Sequence, residues 1–202
     1  DPFTTMDEYG ADALRWYLLT NAAPWDNLRF DMEGLQEVRR KFFGTLHNTY
    51  AFFALYANVD SFRYEEAEIP LKERPEMDQW ILSELHSLIA KVEDGMEAFE
   101  PTRAFRPIQE FTTEKLSNWY VRLGRRRFWK GAYESDKISA YQTLWTCLET
   151  LSRLMAPLAP FYADQLYTDL YAGVAKSGET SVHLTNFPTV DAPTINAPLE
   201  KK

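Results

Sequence analysis

The chain has 202 residues, 45% hydrophobic and 26% charged, which is enough for one large domain or two small ones around a substantial core. A formal charge of −8 disfavours indiscriminate binding to nucleic acid. Cys147, the sole cysteine, excludes an internal disulfide and any multi-cysteine zinc site. No run approaches the roughly 18 apolar residues of a membrane span, and no signal peptide is evident, so no membrane contact and a reducing, cytoplasmic setting are expected.

Helical spacing dominates. Thr5 and Glu8 have the spacing of a capping box, which predicts a helix over residues 6–20 with Leu14, Tyr17 and Leu18 on one face. NAAPWDN, residues 21–27, reads as a loop. Asp31 suits the cap of a long helix reaching residue 59, along which Val38, Phe42, Leu46, Tyr50, Phe53 and Tyr56/Ala57 recur at three- or four-residue steps. Pro70 and Pro75 mark residues 60–76 as a long loop. A third helix over residues 77–98 carries Trp80, Ile81, Leu85, Leu88, Ile89 and Val92 as its buried stripe.

Pro101 suits a first helical turn, and Pro107, which lacks an amide donor, should interrupt or kink the helix beyond it. The fourth helix ends near Gly131, Ser135 caps a fifth reaching residue 155, and Pro157 and Pro160 separate it from a sixth over 161–171. Residues 173–180 are polar, and SVHLTNF (181–187) alternates as a short extended segment would. The remainder, with Pro188, Pro193 and Pro198, reads as a linker or tail. The expected fold is all-α: an antiparallel bundle of about five or six helices over residues 1–180, then the extended segment and tail over 181–202.

Catalytic chemistry is not in view. His47, His86 and His183 stand apart from one another, and none has a partner at a metal-ligand spacing. Cys147 lies in a helical stripe with Leu144, Leu148 and Leu151, as a buried structural thiol would. With no glycine-rich phosphate loop either, neither a catalytic residue nor a bound cofactor or metal is expected in this chain.

One stretch departs from the acidic background. Between Lys115 and Lys130 there are basic residues at 115, 122, 125, 126, 127 and 130 and no acid. At about 100° per residue, Lys115, Arg122 and Arg126 fall within about 40° of one another. Asn118, Trp119 and Trp129 flank them, while Leu116, Tyr120 and Leu123 form an adjoining face for core contact. Cations meet phosphate oxygens, unpaired bases stack on aromatic or guanidinium planes, and arginine's forked donors suit both phosphate and base edges. The candidate RNA contacts are therefore Asn118, Trp119, Arg122, Arg125, Arg126, Arg127, Trp129 and Lys130. The alternative is a structural or protein-interaction bundle, its arginines paired with the chain's own acids, for instance between Asp60 and Glu76. Trp119 also suits packing beside Leu116 and Leu123, and Arg127, beside Tyr120 and Leu123, also suits a structural bridge.

Several segments resemble, in order, class I aminoacyl-tRNA synthetases, and the isoleucyl group in particular. DPFTTMDEYGADALRWYLL (1–19), with its Asp12-Ala13-Leu14-Arg15 signature, resembles the start of that family's anticodon-binding helical domain. APWDNLRFD (23–31) and RRKFFGTLHNTYAFFALYA (39–57) are similar to the next segments of that domain. LSNWYVRLGRRRFW (116–129) resembles the isoleucyl form of a further signature, LSRLMAPLAPFYADQLYTDL (151–170) an element shared with the valyl and leucyl enzymes, and SVHLTNFP (181–188) the isoleucyl group's closing motif. The resemblance implies a piece cut from a larger ligase that joins isoleucine to its tRNA using ATP and Mg; the alternative within the class is the same module of a valyl- or leucyl-tRNA synthetase. That parent's catalytic and editing domains would lie upstream. The chain begins at Asp1 without an initiator methionine, as an excised piece would, and is expected to be inactive alone and monomeric.

On this resemblance the basic helix faces the anticodon stem-loop of an isoleucine tRNA, with no role toward DNA. Arg15 is read as structural, joining helix to helix or helix to the upstream catalytic domain. Gly124 inside the signature helix costs about 1 kcal/mol of helix propensity relative to alanine, and its small size suits close approach of RNA or a neighbouring helix.

Overall fold

Gly10 has φ 86°, a conformation that favours glycine, and there the predicted first helix divides into α1 (Pro2–Tyr9) and α2 (Ala11–Asn21). Asp1, not Thr5, caps α1, its carboxylate accepting the Phe3 amide proton at 3.1 Å. The computed structural model describes residues 1–201, and among these there is no strand.

Six further helices complete the bundle. α3 (32–59) starts at the Asp31 cap, which accepts from the Glu33 and Gly34 amides, and α4 spans Glu76–Glu97. α5 runs unbroken over 101–129, α6 is Ser135–Met155, α7 is Pro160–Ala172 and α8 is Ala197–Glu200. Two of them are not regular. α3 widens to π-helical turns over Val38–Phe43, and α5 does so over Phe111–Val121. In such turns each amide reaches a carbonyl five residues back, so every turn holds more residues than an α turn. Pro107 does not end α5. Just beyond it, the Thr112 and Thr113 hydroxyls bond to the carbonyls of Ile108 and Gln109 at 2.8 and 2.9 Å, competing with the backbone ladder where the widening begins.

The core is one continuous cluster rich in rings. Trp16 of α2 stacks on Phe42 of α3 at 4.3 Å and meets Phe43 and Phe105 edge-on. Farther along, Tyr141 of α6 stacks on Phe62 at 4.9 Å and meets Phe53 and Phe128 edge-on. α4 and α5 approach closely at Gly95, where a β-carbon would lie 2.8 Å from the Ala104 backbone.

Arg15 has the expected structural role. Its guanidinium donates to the Leu158 and Pro157 carbonyls at 2.9 and 3.2 Å, while Asp12 accepts from the Tyr162 amide at 2.7 Å. One turn of α2 thereby fixes the corner between α6 and α7. Burial raises the Asp12 pKa, and that hydrogen bond opposes the shift.

Residues 182–184 form a 3₁₀ turn, not the extended segment that alternation predicts; Asp164 tethers it by accepting from the Ser181 hydroxyl at 2.6 Å and the Val182 amide at 2.9 Å. The polypeptide expected to trail away as a tail then lies against α4. The Asp191 amide donates to His86 Nδ1 at 3.0 Å and the Asn196 amide to Ser83 Oγ at 2.7 Å. The Glu200 carboxylate accepts from the Ser83 and Ser87 hydroxyls. Leu199 is buried there. Sequence alternation missed this because these partners lie more than 100 residues away along the chain.

Candidate nucleic-acid interface

The widened turns decide which side of α5 faces out. Leu116 and Tyr120 are buried as expected, but Leu123 is 52% exposed and Val121 and Phe128 occupy the inner face instead. At regular α spacing residues 116 and 123 share a face; across π turns a residue five positions on, Val121, takes that place. The Arg122 amide accordingly reaches the Ser117 carbonyl, five residues back.

The same shift divides the six cations. Lys115 leaves the predicted strip and pairs with Glu84 of α4 at 2.5 Å. Arg127 is held on the inner side: its guanidinium donates to Asp78 at 2.6 and 2.8 Å and to Asp136 at 3.0 Å. Asp78 is fully buried, and it also accepts from the Tyr120 and Ser139 hydroxyls at 2.7 and 2.5 Å. Burial disfavours the charged form of Arg127, but the Asp78 and Asp136 carboxylates more than offset it, so its pKa lies above the usual arginine value. Burial and the Asp78 charge likewise push the Tyr120 hydroxyl well up. Arg127, grouped with the RNA contacts on sequence alone, is here a structural bridge.

The other four cations are open. Arg122, Arg125, Arg126 and Lys130 are exposed, and among the described residues none has a carboxylate partner. Three of the acids between Asp60 and Glu76 that could have paired with them have other partners: Asp60 with Lys137 at 2.8 Å, Glu68 with Arg74 at 3.6 Å, and Glu66 with the Tyr133 hydroxyl. Arg125 lies over the Phe52 ring at 6.0 Å. Asn118 is exposed and donates to Glu114 at 3.2 Å.

Trp129 stands at the end of α5, 57% exposed. Trp119 is 58% exposed and forms one wall of an ≈ 560 Å³ groove with Met77, Trp80 and Leu199, so the core packing beside Leu123 does not occur. Gly124 brings no neighbour close; a β-carbon there would meet nothing within 4 Å. Cys147 is buried in a stripe with Leu144, Leu148 and Leu151, and burial raises its thiol pKa. Among the described residues no three His, Cys, Asp or Glu side chains gather into a metal-holding group. No helix among them is long and apolar enough to cross a membrane.

Sequence reasoning missed Asn48 and Phe52 of α3, which face Arg122 and Arg125 across a cleft. Nothing in the local sequence marks them, because only the packing of α3 on α5 joins them to the basic stretch.

An all-α bundle whose fifth helix carries an outward cationic strip matches the family described as anticodon-binding domain of tRNA ligase over residues 78–202, and the chain belongs to that family. It is similar over its whole length to the isoleucine–tRNA ligases of Bacteroides thetaiotaomicron, at 58% identity, and Clostridium tetani, at 44%, and covers 17% and 19% of those proteins. The Cytophaga hutchinsonii isoleucine–tRNA ligase is 57% identical and is covered over 18% of its length. The chain thus spans about a fifth or less of these curated relatives. In fold it resembles a solved structure, the ternary complex of Agrobacterium radiobacter K84 agnB2 LeuRS with tRNA and LeuAMS. That likeness has a TM-score of 0.66 at 23% identity, over 98% of this chain and 22% of that one.

Proposed function

We propose that this bundle recognises the anticodon arm of an isoleucine tRNA, as the helical module of an isoleucyl-tRNA synthetase whose catalytic domain uses ATP and Mg. The observation that carries the reading is the set of four exposed cations, Arg122, Arg125, Arg126 and Lys130, that lack carboxylate partners among the described residues of an acidic body. Trp119, Trp129 and Asn118 border them and provide stacking planes and an amide. The module acts as a monomer, binds and orients RNA but not DNA, and performs no chemistry by itself.

Binding of the 202-residue chain to an isoleucine tRNA, titrated with salt, tests this. The expected affinity is about micromolar or weaker. Substituting Arg122→Ala and Arg126→Ala together should flatten the log–log salt slope by about 0.7–0.9 for each phosphate no longer neutralised, with the thermal midpoint nearly unchanged. A marked fall in the midpoint with unchanged binding would support the internally paired bundle instead.

A further inference from the structure

Arg125 is exposed like its neighbours, yet it alone of the four open cations has a ring beneath it. Its guanidinium carbon lies over Phe52 of α3, 6.0 Å from the ring centroid. Arg122, Arg126 and Lys130 have no such support among the described residues. Phe52 is itself held in place. It is half-buried, tilted against Tyr56 at 4.9 Å and edge-on to Phe128 at 5.1 Å. Phe128 is 1% exposed and meets Tyr141 of the core at 5.3 Å. Arg125 therefore rests on a series of rings that runs from the surface of α3 into the core.

Two kinds of partner hold arginines on α5, and they leave different things behind. The carboxylates of Asp78 and Asp136 take up the N–H donors of Arg127 and offset its charge. A phenyl ring carries no net charge and has no lone pair to accept those donors. Over Phe52, Arg125 is steadied while its N–H donors and its full positive charge stay available to a phosphate. A long side chain that must be immobilised on binding lowers the affinity, so restricting it beforehand raises the affinity.

We propose that Phe52 is a positioning residue, holding the Arg125 guanidinium in the cleft between α3 and α5 ready for one backbone phosphate of the tRNA. This role presupposes that the strip binds tRNA. It adds that Arg125, unlike Arg122 and Arg126, meets its phosphate already ordered, through a residue on a different helix.

The test begins on the whole chain without RNA. NMR relaxation of the arginine Nε–H groups should give Arg125 a higher order parameter than Arg122 or Arg126. Phe52→Leu should bring it down to theirs, and Phe52→Tyr, which keeps the ring, should not. With an isoleucine tRNA, Phe52→Leu should then weaken binding roughly 2- to 10-fold at an unchanged salt slope, because no charge is removed. Phe52→Tyr should keep most of the affinity. In an Arg125→Ala background, Phe52→Leu should have hardly any further effect. An equal loss in both backgrounds overturns the proposal, since it marks Phe52 as part of the scaffold or as a direct RNA contact. So does an Arg125 order parameter no higher than those of Arg122 and Arg126. If Arg125→Ala weakens binding and Phe52→Leu does not, the positioning role fails while the strip stands. If the unaltered chain shows no salt-dependent tRNA binding, the strip and the positioning role fail together.

Discussion

Arg126 and Arg127 are neighbours in the chain, yet their surroundings have almost nothing in common. Arg127 reaches inward to a fully buried Asp78 that also takes two hydroxyl donors, and it ties α5 to α4 and α6. Arg126 is exposed and pairs with no carboxylate among the described residues. A basic run in a sequence therefore does not measure a basic surface. The field outside the protein depends on which cations meet a carboxylate from a neighbouring helix, and which are left for a ligand.

The largest effect should come from breaking the inner half of this pair. Asp78→Ala leaves Arg127 without its buried partner and should cost about 3–5 kcal/mol. That corresponds to a fall of the thermal midpoint on the order of 6–20 °C for a chain of this size. Arg126→Ala in the same melting experiment should move it very little. Equal losses would erase the distinction between the two arginines.

Lys115 is an intermediate case, since its partner Glu84 is buried while the lysine is partly exposed. Lys115→Ala should cost about 1–3 kcal/mol by chemical denaturation, less than Asp78→Ala. Gly124 sharpens the comparison from the opposite direction. With open space where its β-carbon would go, Gly124→Ala should stabilise the chain by about 0.5–1 kcal/mol. RNA affinity should be unchanged; a weaker affinity would mean that RNA itself approaches the helix at that point.

The smallest effect concerns a hydrogen bond made without net charge. Burial holds the His86 pKa below the ordinary 6.5, with the Asp191 carboxylate opposing the shift. Its contribution to stability is therefore full above pH 6.5 and is lost as the pH falls through the lower folded value. Once protonated, Nδ1 no longer accepts the Asp191 amide proton. An NMR titration should show His86 and the Asp191 amide shifting together below pH 6.5, and His86→Ala should abolish the amide's response.

Much of the scaffold was legible because apolar periodicity and proline placement are local signals. The buried stripe of α4, with Trp80 only half-buried, and the Asp31 cap come directly from residue spacing. The candidate site was only half legible. A regular wheel places Lys115 on the strip and Leu123 in the core, whereas the π turns move Lys115 to Glu84 and leave Leu123 exposed. Such turns depend on how one helix ladder accommodates its neighbours, and no spacing rule anticipates them.

By itself, the sequence settled that the chain is helical, that it belongs with the anticodon-binding domains, and that its cations concentrate in one helix. Propensity, patterning and motif are properties of the order of residues. Only the tertiary structure decided which of those cations remain free, that Asn48 and Phe52 stand across from them, and that residues beyond 181 return to α4. Those outcomes depend on distances between segments far apart in the chain, which are fixed only when the helices pack.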